Sequence, residues 1–281
     1  MNRIAWGFVG LHGLAMALGL FGILIAIPHP EIWAGNAGDM AFFAFAINKT
    51  GGTGMILGAI AMLTFGFARL GWRRTLVFFI AACALSATAE LTGTKTGWPF
   101  GGYEYTDFLG YKLLGRVPFA IPLSWFYMGF ASLLIADAIA VARGWRNRML
   151  WSIVLGAYLL TAWDLVLDPS MAAPQMQYIH FWIWHESGPY FGMPLRNLIG
   201  WFGTGLVFIA VGRLAWRERE TPAVSPTIPL VVYTLNVVWS MVISVSVGMW
   251  PTAIAAVIFS LIPAAFAVLP TRERPRSYAK A

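Results

Sequence analysis

The stretch that decides the fold is PFAIPLSWFYMGFASLLIADAIAVA, residues 118–142, in which Asp137 is the only charged side chain. A helix needs about 20 consecutive apolar residues to cross the hydrocarbon core of a bilayer, and this stretch is long enough. A helix also satisfies its own backbone hydrogen bonds, as lipid requires. The stretch therefore predicts a membrane-spanning helix, and similar stretches recur along the chain.

The composition of the whole chain indicates the same class of protein. Of its 281 residues, 59% are hydrophobic and 11% are charged, with a mean hydropathy of +0.69, whereas a soluble domain carries about 25% charged residues. The single cysteine, Cys83, argues against a disulfide framework and a thiolate metal site. The net charge of +7 collects at the ends of apolar segments, so we interpret it as a topology signal and expect no nucleic-acid partner.

Eight apolar segments predict an all-α, polytopic bundle of membrane-spanning helices. They are Ile4–Ile27, Thr53–Leu70, Arg74–Leu91, Pro118–Ala142, Met149–Leu167, Leu198–Trp216, Ile228–Gly248 and Pro251–Leu269. The shorter run Asp39–Ile47 is predicted to form an interfacial or re-entrant helix. Residues 1–270 are thus interpreted as one transmembrane domain, and residues 271–281 as a basic cytoplasmic tail.

The basic residues predict the orientation of these spans, because cytoplasmic loops are rich in Lys and Arg. If the N terminus is cytoplasmic, most of the 19 Lys and Arg residues lie inside. Those left outside are Lys49, Lys95, Lys112, Arg116 and Arg196. Both termini are therefore predicted to be cytoplasmic, and we expect a multi-pass protein of the inner (plasma) membrane.

Two long loops on the predicted outer side, residues 92–117 and 168–197, are rich in glycine, proline and aromatic residues. They contain the similar sequences TGWPFGGY (96–103) and SGPYFGMP (187–194), which hint at a repeat of two-helix units. Loops of this length in a compact protein usually carry a function.

Two aspartates at the outer end of the fifth span are the first candidates for chemistry. Asp164 and Asp168 in YLLTAWDLVLDPS are four residues apart, and hence on one helix face. Carboxyl groups at this depth usually face the interior of a bundle, and two on one face should leave one protonated and one charged. The alternative for Asp168 is that it merely ends the helix before Pro169.

A third acid, Glu90, lies where the third apolar span meets the glycine-rich loop ELTGTKTGWPFGGYEY, residues 90–105. The structural alternative is a carboxylate solvated at the membrane interface. We favour a functional role, because the loop that follows is rich in glycine and aromatic residues. These would let backbone and flat rings close over a flat, apolar ligand.

The segment IHFWIWHESGPYFGMP, residues 179–194, carries His180, His185 and Glu186 but matches no strong zinc motif. No metal is therefore expected, and His185 or Glu186 is a candidate for orienting water. The aromatic residues between them indicate an interfacial belt or an apolar roof. The glycine loop lacks the lysine of a phosphate-binding loop. The spans contain no lysine for a retinal Schiff base and no histidine pair for haem.

Four blocks together resemble a known family. ELTGTKTGWPFGGYEYTDFLG (90–110), GRVPFAIPLSWFYMG (115–129), AWDLVLDPSMA (162–172) and GPYFGMPLRNLIGW (188–201) occur in this order. They resemble the CruF-type carotenoid 1,2-hydratases of the integral-membrane carotenoid biosynthesis protein family, which includes bisanhydrobacterioruberin hydratases. The resemblance covers roughly residues 84–201, and outside them the chain resembles the family only as generic membrane helix.

The resemblance implies a cofactor-independent hydro-lyase that adds water to the terminal 1′,2′ double bond of an acyclic carotenoid end. The substrate would be of the γ-carotene or lycopene type, and the product a tertiary 1′-hydroxy carotenoid. Such an alkene is a poor base, so the reaction needs an aimed acid and nearby negative charge for the cation. Our hypothesis makes Asp164 or Glu90 the proton donor and Asp168 its charged partner.

The remaining candidates are assigned by their membership of the motifs, as residues that line the substrate pocket or orient water. They are Trp98, Phe100, Tyr103, Tyr105, Trp125, Trp163, His185, Glu186 and Asn197. The expected partners are a membrane-embedded carotenoid and the lipid bilayer. Contact with other enzymes of the carotenoid pathway and the oligomeric state are left open.

Two other functions are compatible with the sequence. A membrane lycopene cyclase would protonate the same kind of double bond but capture the cation with an internal alkene. A carotenoid-binding or transport protein would leave the pigment unchanged. The mass of the product separates a hydratase from a cyclase, because only hydration adds a water.

Overall fold

Long apolar helices make up most of the chain, of which the computed structural model describes residues 2–177, 179–217 and 223–269. The predicted tail over residues 271–281 lies outside these ranges. The helices are α1 (Asn2–Phe21), α2 (Ala37–Arg69), α3 (Trp72–Thr96), α4 (Ala120–Ala142), α5 (Arg148–Ala172), α6 (Arg196–Leu214), α7 (Thr227–Ser246), α8 (Trp250–Ala256) and α9 (Ile262–Ala265). Two π-helical segments, Gly22–Ala26 and Val257–Leu261, extend α1 and α8.

Seven helices in the described part of the chain are long and apolar enough to cross a membrane, which confirms the prediction of an all-α polytopic bundle. They correspond to the first seven predicted spans, with ends that differ by a few residues. The eighth predicted span, Pro251–Leu269, is represented by the shorter apolar helix Trp250–Ala265. Its middle is the π-helical segment Val257–Leu261.

The run Asp39–Ile47 does not form a helix of its own, so that part of its prediction is wrong. It is the first part of α2, which continues without a break to Arg69. The side chain of Asn36 caps its start by accepting a hydrogen bond from the backbone N–H of Asp39 at 2.9 Å. The helix runs through its glycines, and at least one of them allows close packing against α1. A Cβ at Gly58 would lie only 3.0 Å from the ring of His12.

Helix α5 also runs further than predicted, because Asp168 does not end it before Pro169. The helix continues to Ala172 with Pro169 inside it. Proline has no N–H, so the carbonyl four residues earlier, that of Leu165, loses its helical partner. The hydroxyl of Tyr190 donates to this carbonyl at 2.8 Å. Burial and the nearby Asp164 raise the pKa of Tyr190 to about 12, so the hydroxyl keeps its proton as a donor.

Helix α4 forms the centre of the bundle, and 83% of its apolar stretch is buried, against 17% for α1. It contacts α2, α3, α5, α6 and α7. Close approach to α6 depends on Gly129, since a Cβ there would lie 2.5 Å from the ring of Phe208. The sequence that predicts a spanning helix most plainly is thus also the core around which the others pack.

Two small antiparallel sheets lie in the long loops. Strand β1 (Tyr103–Tyr105) pairs with β4 (Trp182–Trp184), and β2 (Lys112–Leu113) pairs with β3 (Val117–Pro118). The first sheet joins the loop after α3 to the loop after α5. It therefore connects the two long loops that sequence analysis singled out.

We expect Tyr190→Phe to destabilise the protein, because the half-buried carbonyl of Leu165 would lose its donor. A typical intramolecular hydrogen bond contributes about 0.5–1.5 kcal/mol, and its loss is measurable as a lower unfolding temperature of the purified protein in detergent. The matched control is Tyr111→Phe, which removes the hydroxyl of a side chain that is 74% exposed. Equal unfolding temperatures for the two variants would contradict this account of Pro169.

Candidate active site

Glu90 lies near the end of α3, where the chain turns back over the helix. Helix α3 ends with Gly97 in the left-handed conformation, φ 79°, and Gly97 N–H bonds the carbonyl of Gly93. Strand β1 then returns above Glu90 with Tyr103 and Tyr105 facing inward and Glu104 outward. A strand places alternate side chains on one face, so a three-residue strand delivers two tyrosines to one acid.

The carboxyl group of Glu90 is buried, with 3% exposure, and accepts three hydrogen bonds. The hydroxyls of Tyr103 and Tyr105 both donate to Oε2, the latter at 2.9 Å. The indole Nε1 of Trp125 in α4 donates to Oε1 at 2.8 Å. Burial, and then the charge of Glu90, raises the pKa of both tyrosines well above its ordinary value. The hydroxyls therefore stay protonated as donors.

Asp168 in α5 is held in the same way by strand β4. The indole Nε1 atoms of Trp182 and Trp184 donate to its Oδ1 at 2.8 and 3.3 Å. In the β1–β4 register, Tyr103 lies opposite Trp184 and Tyr105 opposite Trp182. One small sheet thus supplies two donors to each acid: strand β1 supplies those to Glu90, and strand β4 those to Asp168.

The two acids also share a pattern of sequence spacing. The donors to Glu90 lie 13, 15 and 35 residues after it. The donors to Asp168 lie 14, 16 and 29 residues after it. In each case two aromatic donors come from a strand in the following loop, and the third comes from the next long helix. The similarity of the two loops therefore extends to the hydrogen bonds that they make.

Asp164 and Asp168 are joined by the side chain of Asn197 at the start of α6. Its Nδ2 donates to Oδ2 of Asp164 at 2.8 Å and to Oδ2 of Asp168 at 2.5 Å. Asp164 is fully buried, and its Oδ1 has no hydrogen-bond partner among the described residues. Of the six carboxyl oxygens of Glu90, Asp164 and Asp168, which we call the carboxyl site, this one alone has no partner in the described chain.

Only neutral groups donate to the carboxyl site. Within the described ranges, no lysine, arginine or histidine forms an ion pair with any of its three acids. Asp137, near the other end of α4, contrasts with them, because Arg148 pairs with it at 2.5 Å. Buried acids normally have a positively charged partner. An unneutralised cluster is the arrangement that stabilises a cation placed next to it.

The carboxyl site opens onto an apolar cavity of about 410 Å³. Glu90 and Asp168 line it, whereas Asp164 lies behind them and reaches the cavity wall through Asn197. Of the residues predicted to bind substrate, those that line the cavity are Phe100, Tyr103, Tyr105, Trp125, Trp163 and Asn197. The cavity reaches the exposed surface of α1 and α2, since the lining residues Leu18 and Phe42 are 57% and 72% exposed.

Three of the predicted binding residues lie outside this cavity. Trp98 is 71% exposed. His185 lies 4.0 Å from Glu104 on the outer surface, and Glu186 pairs with Arg196 there. No group of three His, Cys, Asp or Glu residues that could hold a metal occurs among the described residues. The structure thus does not bring His185 and Glu186 to the carboxyl site.

Several residues of the cavity were not identified by sequence analysis. Trp182 and Trp184 were interpreted only as part of a belt or roof, yet they bond Asp168. Trp201 stacks on Trp125 with ring centroids 4.1 Å apart. The pattern that could have identified them is common to Tyr103–Tyr105 and Trp182–Trp184. In each, two aromatic side chains that can donate a hydrogen bond lie on either side of one residue that faces outward. A polar group of α1 and α7, His12 and Asn236, also lines the cavity.

Comparison with known proteins agrees with the resemblance drawn from the motifs. A bisanhydrobacterioruberin hydratase from Haloarcula japonica is 34% identical over 137 residues, which are 49% of this chain and 44% of that protein. The matched part thus spans less than half the length of this relative. No solved structure matches the chain. A family model described as carotenoid biosynthesis protein matches residues 50–263, which include the whole carboxyl site. The chain therefore belongs to the carotenoid biosynthesis protein family.

Proposed function

We propose that the protein is a carotenoid 1,2-hydratase of the cell's inner membrane. It adds water to the terminal 1′,2′ double bond of an acyclic end group of the γ-carotene or lycopene type, giving a tertiary 1′-alcohol. The observation that carries this proposal is the cluster of three buried acids, held by neutral donors, beside an apolar cavity that reaches the exposed apolar surface of α1 and α2. The family and the hydratase-named relative support it.

The aspartate pair is the proposed source of the proton. Sequence analysis left Asp164 and Glu90 as alternative donors, but both oxygens of Glu90 already accept hydrogen bonds. Oδ1 of Asp164 is free to carry a proton. Asp168 accepts a hydrogen bond from the same Asn197 side-chain amide and lines the cavity. We therefore assign the proton to Asp164, and Asp168, whose two oxygens both accept hydrogen bonds, is its charged partner. The acid O–H bond breaks, a C–H bond forms at C2′, and a tertiary cation remains at C1′.

Glu90 is the proposed anion that stabilises this cation. The negative charge of its carboxylate is delocalised over three neutral donors and is not cancelled by a cation, so it can interact with positive charge developing in the cavity. The faces of Trp125 and Trp163 add cation–π attraction from the wall. A water oxygen then bonds to C1′, and the proton it releases returns to the aspartate pair.

The reaction needs no redox partner, because one water is added across one double bond and no electrons are gained or lost. The protein groups named above supply the acid, the base and the stabilising charge. We accordingly propose a hydro-lyase that works without a cofactor. The surrounding rings would exclude other water from the cation, which protects it from unguided reactions.

We expect Glu90→Gln, Asp164→Asn and Asp168→Asn each to lower hydration by at least about 100-fold, the usual contribution of a positioned acid or base. These changes keep the size of each side chain but remove its charge and its acidity. The measurement is the rate of alcohol formation from lycopene in membranes that contain equal amounts of each variant.

The matched control is Glu104→Gln, which removes a carboxylate from the outward face of the same strand β1. It should keep wild-type turnover. If all three buried-acid variants also kept near-normal turnover, the assignment of the carboxyl site would be wrong.

The identity of the product tests the proposed reaction itself. In a bacterium that accumulates lycopene and γ-carotene, the protein should yield a more polar pigment that is heavier by one water, with its chromophore unchanged. Chromatography and mass spectrometry of the extracted pigments are the measurement. A product of equal mass with a shortened chromophore would indicate a cyclase. Unchanged pigments beside abundant protein in the membrane would favour a binding or transport role.

A further inference from the structure

A second polar cluster lines the same cavity, formed by His12 of α1, Tyr127 of α4 and Asn236 of α7. All three side chains are buried, with exposures of 1%, 2% and 5%. His12 lies outside the residues that the family model matches, 50–263.

The hydrogen bonds of this cluster use up every donor it has. Nδ1 of His12 lies 2.8 Å from the carbonyl oxygen of Gly54, which can only accept, so Nδ1 carries the hydrogen. Nε2 of His12 then accepts from Nδ2 of Asn236 at 3.1 Å. The second Nδ2 hydrogen of Asn236 goes to the carbonyl of Val232 at 2.8 Å, and the hydroxyl of Tyr127 donates to Oδ1 of Asn236 at 2.8 Å.

The cluster can therefore only accept further hydrogen bonds, at the oxygen of Tyr127 and at Oδ1 of Asn236. The oxygen of Tyr127 has given its hydrogen away and accepts from no other described residue. Oδ1 of Asn236 keeps a second lone pair, since an amide oxygen can accept two hydrogen bonds. A ligand that meets this surface must therefore bring a donor, and an O–H group fits both atoms.

The cluster lies deeper between the helices than the carboxyl site. Glu90 and Asp168 are close to the ends of α3 and α5, under the β1–β4 sheet, whereas His12 and Asn236 are near the middle of α1 and α7. Tyr127 is two residues after Trp125 on α4, about 200° further around the helix, and both side chains line the cavity. A ligand in the cavity can thus contact both the acids near the helix ends and the acceptors further in.

We propose that this cluster is the binding site for an O–H group in the cavity, and that in the hydration reaction this group is the attacking water. The inference rests on the proposed function. A water that donates both hydrogens to Tyr127 and Asn236 turns its lone pairs toward the cavity, as a nucleophile must. Its oxygen bonds to C1′ of the cation. The protonated alcohol that results then breaks one of these two hydrogen bonds and gives that proton to a carboxylate of the carboxyl site. The same acceptors would also suit a hydroxyl group carried by the carotenoid.

The test uses two variants that each remove one acceptor, Tyr127→Phe and Asn236→Leu, in membranes supplied with lycopene in D2O. If the cluster holds the water, hydration should fall about tenfold, the effect of one lost hydrogen bond. Cations that find no water would return a proton, so deuterium should appear at the terminal alkene carbon of the unhydrated lycopene. A second arm measures how strongly each purified variant retains 1-hydroxylycopene relative to lycopene.

The matched control is Tyr233→Phe, which removes a buried hydroxyl of α7 that bonds the carbonyl of Leu159 and does not line the cavity. Its hydration, exchange and retention should equal those of the wild type. Unfolding temperatures of all variants separate a folding defect from a lost site, because a folding defect lowers hydration and deuterium exchange together.

The outcomes separate the sources of the O–H group. Reduced hydration with increased exchange assigns it to water. Normal hydration with a lost preference for 1-hydroxylycopene assigns it to the carotenoid. Wild-type behaviour of both variants in both arms would overturn the proposal. A wild-type protein that neither hydrates lycopene nor exchanges deuterium would refute the proposed function, and the retention arm would then decide the role of the cluster by itself.

Discussion

Hydrogen bonding to acids that are buried away from water is the constraint on which the rest of this structure depends. A carboxyl group costs several kcal/mol to desolvate unless donors replace its water, and three such groups lie together here. Their donors come from strands β1 and β4 and from helices α4 and α6. The long loops, the sheet that joins them and the packing of α4 all serve to deliver those donors.

The kind of donor matters as much as its number. At the opposite end of α4, Arg148 neutralises Asp137 in a pair that links two helices. At the carboxyl site, phenol, indole and amide groups hold the acids without cancelling their charge. Such groups fix geometry and leave an electrostatic field directed into an apolar cavity, where charges interact more strongly than in water. This difference separates a structural acid from one arranged for chemistry on a cation.

The spans were predictable because apolar length alone determines them, and Glu90, Asp164 and Asp168 stood out because charge in such helices is rare. The paired strands were not predictable: three residues are too short for a periodic signal, and their partners are distant in sequence. The course of α5 past Pro169 depends on Tyr190 from another loop, and the length of α2 on packing against α1. Such contacts cannot be predicted from local sequence. Trp98, His185 and Glu186 were predicted to bind substrate only because they belong to the same motifs as the residues that do line the cavity.

The repeated spacing of donors after Glu90 and Asp168 has a consequence for biogenesis. Every donor to Glu90 is encoded within the 35 residues that follow it, and every donor to Asp168 within the following 29. Each helical hairpin, α3 with α4 and α5 with α6, therefore contains what its own acid needs. Such a hairpin can enter the membrane with its acid already hydrogen-bonded. Neither acid then needs donors from the rest of the chain. The β1–β4 sheet then joins two prepared halves.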